Sequence, residues 1–141
     1  MPDGNDPSAG GGARDDALSA RLVERIADVP APLWDRLAGA ANPFVSHAFL
    51  SALEDSGSAD AEAGWLPRHL LLEAPDGTVI GAVPLYLKGH SYGEYVFDHG
   101  WADAYERAGG RYYPKLQSAV PFTPVTGPRL LTGPEGPGSD F

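Results

Sequence analysis

The sequence contains no cysteine, which removes disulfides, thiolate metal sites and cysteine nucleophiles from consideration. Basic residues are scarce: 10 Lys and Arg stand against 19 Asp and Glu, a formal net charge of −9. Residues 1–64 carry 11 acidic and 4 basic side chains, and residues 65–141 carry 8 and 6. No basic face follows from this distribution, so direct nucleic-acid binding through phosphates is not expected. No apolar run reaches the roughly 18 residues needed to span a bilayer. The N-terminus lacks the basic-then-apolar pattern of a signal peptide. The expectation is a cytoplasmic chain with no membrane partner. The four histidines show no metal-site spacing, and no Gly-x-Ser-x-Gly nucleophile elbow is present.

Glycine and proline, by contrast, are plentiful, at 18 and 14 residues, and imply many turns. An apolar fraction of 43% allows a packed core, and 141 residues suit one ordinary domain. Residues 1–16, "MPDGNDPSAGGGARDD", have almost nothing to bury and read as a disordered tail. Leu18, Leu22, Ile26 and Val29 have near-helical spacing, yet Leu22, Glu24 and Ile26 also alternate, so helix and strand are both open there. "PLWDRLAG" reads as a short helix closed by Gly39. Ser46 is placed to cap a second helix that buries Phe49, Leu50 and Leu53.

A hairpin is expected next, with strands at 68–74 and 78–87 joined by Pro75-Asp76-Gly77. Pro84 cannot donate to a ladder, so the second strand is bulged or on an edge there. Ser91 and Glu94 have capping-box spacing and predict the start of a third helix. Phe97, Trp101, Tyr105 and Ala108 would then form its inward face, with Gly100 inside and Gly109-Gly110 as the stop. Trp101 and Tyr105 are expected in the core, with the aromatic face of the helix on the hairpin. Strands are expected around 116–120 and 129–131.

Residues 90–124 hold five of the six tyrosines and two of the four histidines. A buried phenol or imidazole needs a hydrogen-bond partner, so such a concentration is unusual for a plain core. The candidate substrate-binding residues are His90, Tyr92, Tyr95, Asp98, Tyr112, Tyr113 and Lys115. His90 sits at a strand end. Tyr95 and Asp98 lie at i and i+3, where a phenol and a carboxylate can face one cavity. Tyr112-Tyr113-Pro114-Lys115 is too aromatic for a simple loop, and its lysine suits a phosphate or carboxylate. Each has a plainer reading as turn, surface or packing residue. Glu94 is better explained as a cap, and His47 as a structural histidine.

Four stretches, "NPFVSHAFLSALEDSGS", "GWLPRHLLLE", "GAVPLYLKGHSYGEYVFDHGWADAY" and "YYPKLQSAVPFTPVTGPRLL", resemble the N-terminal part of the FemAB-like predicted N-acyltransferases, a bacterial peptidoglycan biosynthesis/recognition family. The resemblance covers roughly residues 20–131. It implies an α+β, partial GNAT-like (acyl-CoA N-acyltransferase) fold, with a mixed, mostly antiparallel sheet and flanking helices. By that analogy residues 20–27 are the first strand and 116–125 the central strand beside the cleft. It also implies transfer of an acyl or aminoacyl group to a small-molecule or peptide amine acceptor. Acyl-CoA or aminoacyl-tRNA would be the donor, and no cofactor would be bound. "GPEGPG" at 133–138 has the glycines of a pyrophosphate loop, but its prolines lack amide donors. On this reading residues 17–132 are the N-terminal part of the acyltransferase domain and 133–141 a disordered end. The chain is then a truncated fragment whose partner is a missing C-terminal half. A non-catalytic module that recognises a peptide or cell-wall precursor is the alternative, and an inactive truncated product with an aggregating sheet edge is the third.

Overall fold

The computed structural model describes residues 17–134; the tail expected at 1–16 and most of the end expected at 133–141 lie outside the described residues. Within them, three helices accompany two three-stranded antiparallel sheets. The first sheet holds β1 (Ser19–Val23), β3 (His69–Glu73) and β4 (Val79–Val83), with β3 central. The second holds β2 (Leu66–Pro67), β5 (Tyr86–Lys88) and β6 (Lys115–Gln117), with β5 central. Strand is the outcome for Ser19–Val23, which pairs along its length with β3, but the first strand expected over 20–27 stops there, and Ile26–Asp28 form a short 3-10 helical turn.

Pro84 explains why there are two sheets. The expected long strand at 78–87 is broken there: β4 ends at Val83, and the chain re-enters extended pairing at Tyr86 in the other sheet. A residue without an N–H cannot continue the β3–β4 ladder. The Pro84 carbonyl instead accepts from Ser118 Oγ at 2.9 Å. The β3–β4 turn follows its sequence: Asp76 Oδ1 accepts from the Thr78 amide at 2.9 Å, and Gly77 takes φ +84°.

Helix α1 (Ala31–Ala38) buries Trp34 and Leu37 and stops at Gly39, whose φ of +70° and N–H to Asp35 O at 2.9 Å make the expected C-terminal cap. Helix α2 (His47–Asp55) begins at Ser46, whose hydroxyl accepts from Phe49 N at 3.3 Å. Both helices pack with the first sheet around Ile26, Trp34, Val45, Leu50 and Leu71, all at most 2% exposed. A smaller cluster of Ala59, Trp65 and Tyr86 lies under the second sheet. His47 is structural, as expected: its Nε2 lies 3.0 Å from Ile26 O and 2.8 Å from Val29 O.

The third helix departs from expectation. Helix α3 runs from His99 to Arg107, seven residues later than the capping box implied. Gly93 and Tyr95 have φ of +78° and +57°, which no helix admits. Ser91 and Glu94 bind distant side chains instead of local amides. The phase of the helix changes with its start, and its one buried residue is Ala102. Phe97, Trp101 and Tyr105 are 81%, 77% and 55% exposed, so the expected aromatic core face is not formed among the described residues. Gly100 is the second residue of α3, where a Cβ would meet nothing within 4 Å. The strand expected at 116–120 is confined to three residues. The one expected at 129–131 is a single bridge, Leu131 to Ala82.

Candidate functional site

The end of β5, the loop that follows it and the end of the loop before β6 converge on one ionic cluster. Lys88 is the last residue of β5 and is wholly buried. Its Nζ donates to Tyr92 O at 3.0 Å and Gly64 O at 3.3 Å, and lies 3.6 Å from the centroid of the Trp65 ring. Glu94 Oε1 is 3.9 Å away. Lys115, the first residue of β6, donates to Glu94 Oε2 at 2.9 Å, to Ser91 Oγ at 3.0 Å and, in a shorter contact, to Asp98 Oδ2. Tyr112 donates to the same Asp98 oxygen at 2.6 Å, and Ser91 Oγ is 2.6 Å from Tyr113 Oη. Lys115 also sits 5.6 and 5.9 Å from the Tyr112 and Tyr113 ring centroids. The Tyr113–Pro114 bond that presents this pair is cis.

Burial and pairing set the charges. Desolvation lowers the Lys88 ammonium to about 8; the negative charge of Glu94 opposes this and Lys115 adds to it. Burial works against the charged form of Asp98, but hydrogen bonds from Lys115, Ser91 and Tyr112 overcome it and hold the carboxyl well below its usual range. Lys115 is raised: desolvation is outweighed by its bonds to Asp98 and Glu94. Tyr112 is raised, first by its bond to the Asp98 carboxylate. Two carboxylate oxygens, Glu94 Oε1 and Asp98 Oδ1, are buried without a hydrogen bond. Glu94 Oε1 is 2.8 Å from Lys115 Nζ, an ion-pair contact without hydrogen-bond geometry.

The Lys88 shift predicts a pH effect. An ammonium depressed in the folded state but ordinary in the unfolded chain makes the unfolded chain bind more protons between about pH 8 and 10.5. Stability from this group should rise with pH across that window. Urea midpoints of the chain and of Lys88→Met should therefore differ in pH slope there; equal slopes would place Lys88 in water.

Of the seven residues expected at a site, Asp98, Tyr112, Tyr113 and Lys115 come together, with Ser91, Glu94 and Lys88 added by the fold. His90 does not join them: its Nδ1 accepts from Tyr92 N at 3.2 Å, and its ring packs on Tyr92 and over Gly64. Tyr92 and Tyr95 are 77% and 61% exposed. Tyr95 and Asp98 do not share a helical turn, because both precede α3. Ser91 and Glu94 are visible in the sequence, but their spacing reads as a helix cap. Lys88 carried no local signal beyond being a lone lysine at the end of an apolar strand.

A groove of about 350 Å³ opens beside the cluster, bordered by Glu94, Val96, Gln117, Thr123, Thr126 and Arg129. A larger groove, about 590 Å³, is elsewhere, against the first sheet. Its lining is mostly apolar with Arg36 as the single ionisable group, so the chemistry favours the smaller one. Two non-glycine residues with positive φ, Tyr95 and Phe122 at +57° and +63°, flank the smaller groove. Such backbone costs about 1–3 kcal/mol per residue and persists only where the surroundings enforce it. Part of that enforcement is visible: Phe122 N donates to Gly93 O at 2.9 Å, and a Cβ on Gly93 would lie 2.8 Å from the Phe122 ring and 3.0 Å from Trp65 Nε1. Gly93→Ala should accordingly lower the unfolding free energy by about 2 kcal/mol, measured by urea titration. No change would mean that the 91–96 loop is not fixed by this contact.

Three helices and two antiparallel sheets make this an α+β protein, with a lysine–carboxylate cluster beside a groove. Residues 25–140 match the model of the FemAB-like, peptidoglycan biosynthesis/recognition family, and the chain belongs to that family. Its function is therefore peptidoglycan-related. No curated protein and no solved structure matches the chain. Among the described residues, no helix is long and apolar enough to cross a membrane, and no group of His, Asp and Glu is placed to hold a metal ion.

Proposed function

We propose that the chain is part of an N-acyltransferase that moves an acyl or aminoacyl group onto an amine acceptor in cell-wall precursor metabolism. Residues 17–132 are read as the N-terminal part of its GNAT-like domain. The observation that supports this most directly is the position of Glu94. It is 4% exposed, it contacts Lys115 and faces Lys88, and it is one of the residues bordering the groove. In the reaction the acceptor nitrogen attacks the acyl carbonyl of an acyl-CoA thioester or aminoacyl-tRNA ester. The acceptor ammonium first loses one proton to become the attacking amine; as the C–N bond forms and the bond to the thiolate or alkoxide breaks, the nitrogen loses a second proton, which ends on the departing sulfur or oxygen. Glu94 borders the groove with Lys88 at 3.9 Å and Lys115 at 2.8 Å, and its carboxylate is the group that takes the proton leaving the acceptor. Asp98 and Tyr112 hold Lys115 in place beside Glu94.

The test is incubation of the protein with acyl-CoA or charged tRNA and an amine-bearing peptidoglycan precursor, followed by mass spectrometry for a new amide. An amide with one donor supports the reading. Absence of product with both donors, while the precursor still binds, leaves the recognition module as the function.

A further inference from the structure

Helix α3 carries a face that nothing among the described residues covers. Ala102 is its one buried residue. In the adjacent row around the helix, Trp101 and Tyr105 lie four positions apart and form a ridge, 77% and 55% exposed. Phe97, 81% exposed, continues that spacing just ahead of the helix. The next row, Gly100, Ala104 and Ala108, is also exposed and has small side chains only. A Cβ on Gly100 would meet nothing within 4 Å, so this row is an open channel beside the ridge. Beyond it lie Asp103 and Arg107, opposite in charge and without an ion-pair partner among the described residues. Two of the rings are held before any partner arrives. Tyr105 packs over Gly110 and edge-on to Tyr112, 6.2 Å between centroids, and Phe97 stacks on His99 at 6.0 Å. Ordering them on association therefore costs little.

The exposed area is that of an interface. Tyr92 and Tyr95, in the loop that leads into the helix, are 77% and 61% exposed. Taken at about 200 Å² for a whole aromatic side chain, the five rings expose about 700 Å², close to the roughly 800 Å² that each partner contributes to a standard interface.

We infer that α3 pairs with α3 of a second copy of the chain across a two-fold axis, the aromatic ridge of each helix seated in the small-residue channel of the other. Ridge and channel are adjacent rows of one helix, so the face is complementary to itself, as an isologous contact requires. Rows spaced by four residues interlock when two helices cross at about 50°. Asp103 and Arg107 border the channel, and the same axis brings the acid of each copy toward the base of the other. The inference is independent of the activity proposed above.

The test is sedimentation velocity of the whole chain across the micromolar range, at about 0.15 M salt so that the net charge of −9 is screened. A dimer should form with micromolar affinity or better. Trp34 and Trp65 are wholly buried, so acrylamide quenching of the exposed indole of Trp101 reads this face directly and should fall as the dimer forms. Trp101→Lys should weaken the dimer at least about thirtyfold, the mark of a central anchor, with its far-UV circular dichroism unchanged. Gly100→Leu separates a fitted channel from mere stickiness. It adds helix propensity and apolar surface, yet it fills the channel, and should weaken the dimer about tenfold. Leu130→Lys, at an apolar side chain 74% exposed beside α1, should leave the dimer unaltered. A monomer at every concentration, a dimer indifferent to Trp101→Lys, or tighter association of Gly100→Leu overturns the inference. So does a monomer whose Trp101 is shielded by phosphatidylcholine vesicles, which would make the face a lipid contact.

Discussion

Replacing Lys115 with methionine should destabilise the fold by about 3 kcal/mol at neutral pH, the loss typical when one partner of a buried ion pair is removed. The reason is local. Lys115 is the shared donor to Glu94, Asp98 and Ser91, and the two carboxylate side chains are only 3% and 19% exposed. Without the ammonium, two negative charges face each other with Lys88 as the sole remaining cation in contact with Glu94. The loss should depend on pH, with a definite sign. Asp98 is depressed in the folded chain, so its contribution is present above the unfolded value near 3.8 and lost as pH falls through the folded one. The gap between the chain and Lys115→Met should be widest near pH 7 and shrink below about pH 4. Urea melts across pH 3 to 8 measure it. A constant gap would show that methionine disturbs packing rather than charge.

Glu54→Ala is expected to have a comparable effect, about 3 kcal/mol, at a place with no part in the groove. Glu54 accepts from the Ile26 amide at 3.2 and 3.0 Å through its two oxygens. It also meets His69 Nε2 at 2.9 Å. His69 is wholly buried, and its Nδ1 accepts from Leu85 N at 3.2 Å. With Nδ1 acting as an acceptor, the ring proton must lie on Nε2 and be donated to Glu54. One carboxylate thus joins the start of the first helical turn, helix α2, strand β3 and the chain just after Pro84, where the two sheets part. Removing it strands two buried N–H donors. A double-mutant cycle with His69→Phe should show coupling of about 1–2 kcal/mol. Additive losses would mean that the two side chains act independently.

Much of the frame was legible in the sequence because its signals are local. Gly39, Ser46 and Asp76-Gly77 act through bonds to residues two to four positions away, and each does what its type implies. Pro84 was legible as an interruption, but not as the point where one sheet becomes two. That outcome depends on β5 finding β2 and β6, which lie far away in sequence. The capping-box reading of Ser91 and Glu94 failed for the same reason. Tyr113 and Lys115, more than twenty residues on, offer a hydroxyl and an ammonium that bind more strongly than local amides. Once those bonds form, Gly93 and Tyr95 turn left-handed, α3 starts late, and its large aromatic side chains face outward.

The sequence alone determined the absence of thiol chemistry, the acidic balance, the helices around Trp34 and Leu50, the turn at Gly77 and the concentration of phenols between residues 90 and 124. The tertiary structure alone decided that Lys88 is buried under Trp65, that Glu94 joins two lysines, and that Glu94 and Arg129 share a groove. Local propensities are set by neighbours along the chain. The ionisation and reach of a side chain are set by which distant charges and how much water the fold leaves beside it.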